Sequence, residues 1–328
     1  MQYKKKKIYI SGISGFVGSR IAKMSLNEGY QVIGISRKSI SSLSRELGIK
    51  IIEADFNDKN KLVLEEAEAI VHCATANEVV SKNLSQGLSL SIFGTNKLLE
   101  ASRAAKISNV IFFSTAQVYG TNLSGYFDET SPVDCKSSYG INNYLGEELC
   151  KYYCNTQGFN IVVLRPSNVF GVPEVSTVNR KTLVPMSFVD EAINKGSITL
   201  NSSGKQTRNF ISIDKLAKFT LETVENFPKG FSLRNCGSNF YPSILEIANI
   251  VSKQYEKNYK KKLVINLKSD KPVTSNFFEY KSKFEKFSNT KEDCRKKMEL
   301  TINQLFQMWK NNQKIKASKV KKNIKNNI

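Results

Sequence analysis

Short apolar runs rich in β-branched residues alternate along the first half of the chain with longer stretches in which apolar positions recur every three or four residues. The runs are Ile8 to Ser11, Gln31 to Ser36, Lys50 to Glu53, Ala69 to Ala74, Val110 to Ser114 and Ile161 to Arg165. Ser19 to Glu28, Ile92 to Ala105 and Tyr139 to Asn155 carry the helical period between them. Strand followed by helix, repeated, predicts an α/β fold, a doubly wound parallel sheet covered on both faces. After Arg165 the regularity fades. Pro166, Gly171, Pro173 and Pro185 punctuate a loop-rich stretch, and Ser243 to Tyr255 then gives another amphipathic helix. The expected organisation is a dinucleotide-type domain over 1–165, with 205–240 returning to it. A smaller lobe over 166–204 and 241–309 would hold substrate against the carboxyl ends of the strands.

Charge changes the picture at the two ends. The 328 residues carry 49 Lys and Arg against 29 Asp and Glu, a net charge of +20. Four of the lysines are Lys4 to Lys7, and seven more (Lys310, Lys314, Lys316, Lys319, Lys321, Lys322 and Lys325) lie in a closing stretch without a carboxylate. Setting these eleven aside, +20 falls to +9. The segment 310–328 reads as a frayed or disordered basic extension. Nucleic acid is therefore not favoured as a partner, whereas a positive body suits an anionic substrate such as a nucleotide diphosphate. Six cysteines without a C-x-x-C pair and a single histidine, His72, leave no zinc set. Reduced thiols, no secretion signal and no run of about 18 apolar residues point to a cytoplasmic protein without a membrane span.

The first strand runs into Gly12-Ile13-Ser14-Gly15-Phe16-Val17-Gly18 and then a helix. Glycines so placed let the chain turn, let backbone approach a pyrophosphate and let helix pack on strand, while the helix N-terminus offers free N–H groups. About 20 residues on, where an NAD site usually has a carboxylate, stand Ser36-Arg37-Lys38. Two cations there suit the 2′-phosphate of NADP(H), although a solvated basic turn would look the same. Asp55, after the third strand, is placed to hold the adenine amino group.

The chain resembles the extended short-chain dehydrogenase/reductases, the NAD-dependent epimerase/dehydratase family that acts on nucleotide sugars, over roughly 7–250. Gly12 to Gly18 is similar to its G-x-x-G-x-x-G. Phe93 to Ala101 resembles the helix after the fourth strand, and Phe113-Ser114-Thr115-Ala116-Gln117-Val118-Tyr119-Gly120 the S-[ST]-x-x-V-Y-G segment. Ser138-Tyr139-Gly140, Leu164 to Gly171 and Gly204 to Ile211 follow in order. The resemblance implies a Rossmann fold, NAD(P)(H) as cofactor and a nucleotide sugar as substrate. It also implies a homodimer built on the helices beginning near Ile92 and Tyr139, and a place in polysaccharide precursor synthesis. Tyr139 would exchange the proton of the sugar oxygen while a hydride moves at the same carbon, Thr115 would orient that oxygen, and Asn168 and Arg208 would hold the diphosphate. Gly12, Ser14, Gly15, Phe16, Val17, Gly18, Ser36, Phe56, Cys73, Ala74, Thr75, Ser114, Arg165 and Pro166 would line the dinucleotide. Without the family, each of Tyr139, Thr115, Asn168 and Arg208 reads equally as a packed, turn or solvated residue.

Three departures qualify the resemblance. The family's Tyr-x-x-x-Lys reads Tyr139-Gly140-Ile141-Asn142-Asn143, so Asn143 keeps hydrogen bonds to a ribose but brings no charge. Lys151, twelve positions on, faces about 120° away. Ser91 stands where relatives often carry an Asn. Ala116-Gln117 replaces the Asp-Glu that performs elimination in dTDP-glucose 4,6-dehydratases, which leaves 4-epimerisation or keto-sugar reduction. The rival readings are a catalytically weak homologue that binds the dinucleotide as a scaffold, and a nucleic-acid-associated protein working through its basic tail.

Overall fold

In the computed structural model the chain runs β1 (Lys7–Ser11), α1 (Phe16–Asn27), β2 (Gln31–Ser36), α2 (Ser41–Leu47), β3 (Lys50–Glu53), β4 (Ala69–His72), α3 (Leu84–Leu88), α4 (Gly94–Ala104) and β5 (Asn109–Phe113). It continues through β6 (Gly125–Phe127), α5 (Ser138–Gln157), β7 (Asn160–Pro166), β8 (Asn168–Phe170), α6 (Met186–Lys195), β9 (Ser197–Leu200), β10 (Phe210–Ser212) and α7 (Ile213–Glu225). β11 (Phe231–Cys236), α8 (Ile244–Tyr259), β12 (Val264–Leu267), β13 (Phe278–Tyr280) and α9 (Lys291–Lys325) complete it. The structure describes residues 5–37, 41–58, 60–121, 123–175, 178, 180–268, 277–284 and 290–325, with backbone alone for 41–43 and 312–325.

Seven strands form one parallel sheet in the order β11-β7-β5-β4-β1-β2-β3. Because side chains alternate across a strand, neighbouring residues enter different cores. Ile8 and Ile10 pack with Ile21 and Ala22 of α1 and Leu216 and Ala217 of α7, whereas Tyr9 between them packs with Leu98 and Leu99 of α4 and Tyr153 of α5. The near-continuous apolar runs of the sequence follow from this two-sided burial. The doubly wound parallel sheet read from the sequence is the one observed, and β11 joins it beside β7, with Phe231 opposite Ile161.

The order reverses between β1 and β4, whose carboxyl ends open a crevice. A third core formed by α6, α8, α9 and β9, centred on Val189, Ile198, Ile247, Val251, Ile302 and Phe306, builds the lobe on one side of that crevice. On the other side β13 pairs with β6, Phe278 opposite Gly125, and buries Tyr280 against Val118 and Tyr119. α9 continues to Lys325, through the stretch read from the sequence as frayed. Lys, Gln and Ala favour helix, and neither Gly nor Pro interrupts them.

The single histidine is structural. His72 is wholly buried at the end of β4, its Nδ1 2.6 Å from Ser11 Oγ and its Nε2 3.0 Å from Thr95 Oγ1. Burial lowers its pKa to about 3, so the ring is neutral at ordinary pH.

Candidate active site

One cleft of about 560 Å³ lies at the carboxyl ends of the strands. Its floor is the turn from β1 to α1. Gly12 has φ +68°, and a Cβ there would meet Ala74 N and Cys73 C at 2.9 Å, so only glycine fits where two strand ends converge. A Cβ on Gly18 would meet the Gly12 carbonyl oxygen at 2.4 Å, which fixes how closely helix can approach turn. α1 is preceded by Gly15 as N-cap, with no side-chain cap, in contrast to α5, where Ser137 accepts from Gly140 N at 3.0 Å, and α8, which has a full Ser243/Glu246 capping box. The first N–H groups of α1 therefore remain for an anion, and Phe16, Val17 and Gly18 face the cleft. Ser167 Oγ, past the end of β7 on the same cleft, is buried without a partner. The glycine cradle and the uncapped helix end together fit a dinucleotide diphosphate.

Of the expected dinucleotide residues, Gly12, Ser14, Gly15, Phe16, Val17, Gly18, Ser36, Arg37, Phe56, Cys73, Ala74, Thr75, Ser114 and Pro166 all line this cleft. Lys38 lies outside the described residues. Asp55 and Arg165 do not line it. The Asp55 side chain turns back to accept from Asn57 N at 2.9 Å, and its carbonyl accepts from Lys97 Nζ. Arg165 lies beneath the cleft, giving 2.9 and 2.5 Å bonds to the two oxygens of Glu147 while its guanidinium rests 4.7 Å from the Tyr119 ring centroid. Glu147 also accepts from Ser114. This buried network carries the β5 end on which the next residue, Thr115, is mounted.

The same cleft is lined by Thr115, Tyr139, Asn168 and Arg208, which the sequence places in four separate segments. Thr115 is buried, its Oγ1 accepting from Gln117 N at 3.2 Å, and its hydroxyl lies near enough to the Tyr139 phenol to act on its proton. Burial pushes the phenol above the ordinary tyrosine value, and the Thr115 bond pulls against it. Asn168 donates to Asn209 O at 2.9 Å, and Arg208 to Thr207 O at 3.0 Å. Burial weakens the hold of Arg208 on its proton.

Ser91 and Asn143 are wholly buried and do not line the cleft. Ser91 Oγ accepts from Ala76 N at 3.1 Å and so braces the loop after β4. Asn143 turns its amide back along α5, because four residues on a helix bring a short side chain over the preceding carbonyl. Lys151 is exposed on α5.

The sequence reading missed Glu78, Arg180 and Phe278, all of which line the cleft, as does Gln117, which it had discussed only for the carboxylate it replaces. Glu78 lies six residues past the end of β4, in a loop at a strand's carboxyl end, where function concentrates in doubly wound sheets; that position was the available signal. Arg180 and Phe278 reach the cleft through long-range packing that no local pattern carries. Among the described residues no His/Cys/Asp/Glu group could hold a metal ion, and no helix is long and apolar enough to cross a membrane.

Comparison with known proteins agrees with this geometry. The profile of the NAD dependent epimerase/dehydratase family matches residues 8–235. A putative UDP-glucose 4-epimerase of Methanocaldococcus jannaschii is 28% identical over 252 residues, 74% of this chain and 81% of that protein. The dTDP-D-glucose 4,6-dehydratase of Homo sapiens is 24% identical over 94% of this chain and 93% of its own. The crystal structure of a Bacillus cereus UDP-glucuronic acid 4-epimerase in complex with NAD superposes with a TM-score of 0.74 at 23% identity, covering 92% of this chain and 99% of that one.

Proposed function

The chain belongs to the NAD dependent epimerase/dehydratase family, and on that premise we propose that it is an NAD(P)-dependent epimerase or oxidoreductase of a nucleotide-activated sugar, acting at C4. The observation that carries this reading is the meeting of Thr115 and Tyr139 in the cleft floored by the Gly12–Gly18 turn. The nicotinamide, when bound, supplies or accepts the hydride at the sugar carbon. The chain's own residues do the rest. The Gly12–Gly18 turn and the uncapped start of α1 hold the diphosphate of the dinucleotide. Thr115 orients the sugar oxygen, and Tyr139 Oη gives a proton to that oxygen or takes one from it. Asn168 and Arg208 take the nucleotide diphosphate of the substrate, where the Arg fork matches phosphate oxygens.

Gln117 lines the cleft beside Thr115, and Ala116 precedes it. Neither side chain can act as the acid and base of an elimination, which favours epimerisation or reduction over dehydration. The test is turnover of UDP-, dTDP- and GDP-sugars and their 4-keto forms by the purified protein, followed by NMR with NAD(H) and NADP(H) in parallel. Conversion that disappears in Tyr139→Phe is the expected result. Silence across the panel with intact dinucleotide binding would replace this reading with that of a binding homologue.

A further inference from the structure

The cleft lies between two bodies with separate cores. Ala76 and Val80, on the loop after β4, pack with the core of the dinucleotide half that holds Leu98 and Leu99, whereas Leu183 and Val184, in the segment leading to α6, pack with the core of the lobe. Away from the cleft the bodies are tied at α7 and α9, where Lys297 pairs with Asp214 at 2.6 Å and neither residue lines the cleft. On the cleft itself the tie is Glu78. One of its carboxylate oxygens accepts from Arg180 Nη2 at 3.1 Å and the other from Thr182 Oγ1 at 2.7 Å, so a side chain of one body is held at both oxygens by the other.

The residue between those two donors is held by the lobe instead. Lys181 pairs with Asp190 of α6 at 2.6 Å, and its Nζ lies 5.7 Å from the ring centroid of Trp309 on α9. Three consecutive residues are thus pinned in alternation, two to the dinucleotide half and one to the lobe. Glu78 and Arg180 are 30% and 21% exposed, between an open surface pair and a buried one, which makes the contact firm enough to hold and accessible enough to break. Burial pushes the Glu78 carboxyl up, but Arg180 and Thr182 together hold it below its ordinary value, so it is charged at neutral pH. Among the described residues that line the cleft Glu78 is the one carboxylate, against Arg37, Arg180 and Arg208.

We propose that Glu78, Arg180 and Thr182 form a latch that closes the lobe on the dinucleotide half, with the α7/α9 side as its hinge, and that the opening of this latch sets how fast a bound dinucleotide leaves. The inference rests on the reading of the cleft as a dinucleotide site and is independent of any role for Tyr139. Two roles for the pair predict different signs. Side chains that act only through their charge on the cleft oppose each other: loss of the Glu78 charge makes the cleft more positive and slows the release of an anion, whereas loss of the Arg180 charge speeds it. A latch is broken whichever partner is removed.

The experiment is the release of NADPH and NADH from the full chain, chased with excess oxidised dinucleotide and followed by the fluorescence of the reduced form. Glu78→Gln and Arg180→Gln are each expected to speed release by about threefold to tenfold, the double variant to be no faster than either, and the exchanged pair Glu78→Arg with Arg180→Glu to return to within about twofold of the native rate. Opposite signs in the two Gln variants, or unchanged release in both, overturn the proposal. Trp309, the single tryptophan of the chain, gives a readout without ligand: its quenching by acrylamide is expected to rise in both Gln variants, because Lys181 loses its register over the ring once its neighbours are freed. Should Arg180→Gln fail to fold, Thr182→Val removes the second donor, leaves every charge in place and is expected to move release and quenching in the same direction. A chain that binds neither dinucleotide overturns the cofactor reading, and quenching then decides on the latch by itself, unchanged values in both Gln variants overturning it.

Discussion

Asn143 donates its side-chain amide to the backbone carbonyl of Tyr139, 2.8 Å away and one turn earlier on α5, while its own Oδ1 is buried with no partner. The residue one turn after Tyr139 thus serves the helix rather than the phenol. Asn143→Lys is expected to lower the pKa of Tyr139, move the rising, base-requiring limb of the kcat/KM profile to lower pH and raise turnover near neutrality by about tenfold or more. A pH profile of the variant beside the native chain checks it, with Tm measured in parallel to exclude a folding effect.

The glycine turn makes a steric prediction. A methyl group on Gly18 would sit 2.4 Å from the Gly12 carbonyl oxygen, and backbone rather than a pliable side chain would have to yield. Gly18→Ala is expected to cost about 1–3 kcal/mol of stability and to weaken dinucleotide binding at least tenfold by shifting the α1 N-terminus off the diphosphate. Urea denaturation and a fluorescence titration with NAD(P)H measure the two effects separately.

Arg37 lines the cleft just past β2, where no carboxylate follows the strand. NADP(H) is expected to bind more tightly than NAD(H), and Arg37→Ala to erase about tenfold to a hundredfold of that preference, the worth of a charge-assisted bond of about 1.5–3 kcal/mol. Equal affinity of the native chain for both dinucleotides would show Arg37 turned to solvent.

His72 predicts an acid response. Its folded pKa of about 3 lies below the ordinary 6.5, so the unfolded chain binds more protons than the folded one between those values. Stability is therefore full above about pH 6.5 and is lost as pH falls toward 3. Between pH 7 and pH 5 this single residue accounts for a loss of about 2 kcal/mol. Chemical denaturation at a series of pH values reads the slope, and His72→Gln should flatten it whatever it does to stability at pH 7.

The central strands of the sheet were legible because they are buried on both faces and spell continuous apolar runs; β2 and the half-exposed edge strand β3 match the sequence reading residue for residue, whereas the other edge strand, β11, was not read. Helix bounds slipped by a turn where no local cap marks them, as at α1, which starts at Phe16 rather than near Ser19. The motif residues Thr115 and Tyr139 were legible through spacing and order. Arg165 and Ser91 were not, since whether a polar side chain points into a cleft or beneath it depends on partners such as Glu147 and Ala76 that lie 18 and 15 positions away. Glu78 with Arg180, 102 positions apart, had no local signature at all.

The pairing of β13 with β6 also bears on the timing of assembly. Phe278 walls the cleft that Gly12 floors, and the Tyr280 hydroxyl donates to Arg165 O at 2.6 Å. A chain emerging from the ribosome has completed every strand of the large sheet once Cys236 is out, yet its cleft still lacks a wall. The sheet can therefore form before the cleft is complete, which makes the docking of β13 the step that converts a folded scaffold into a competent pocket.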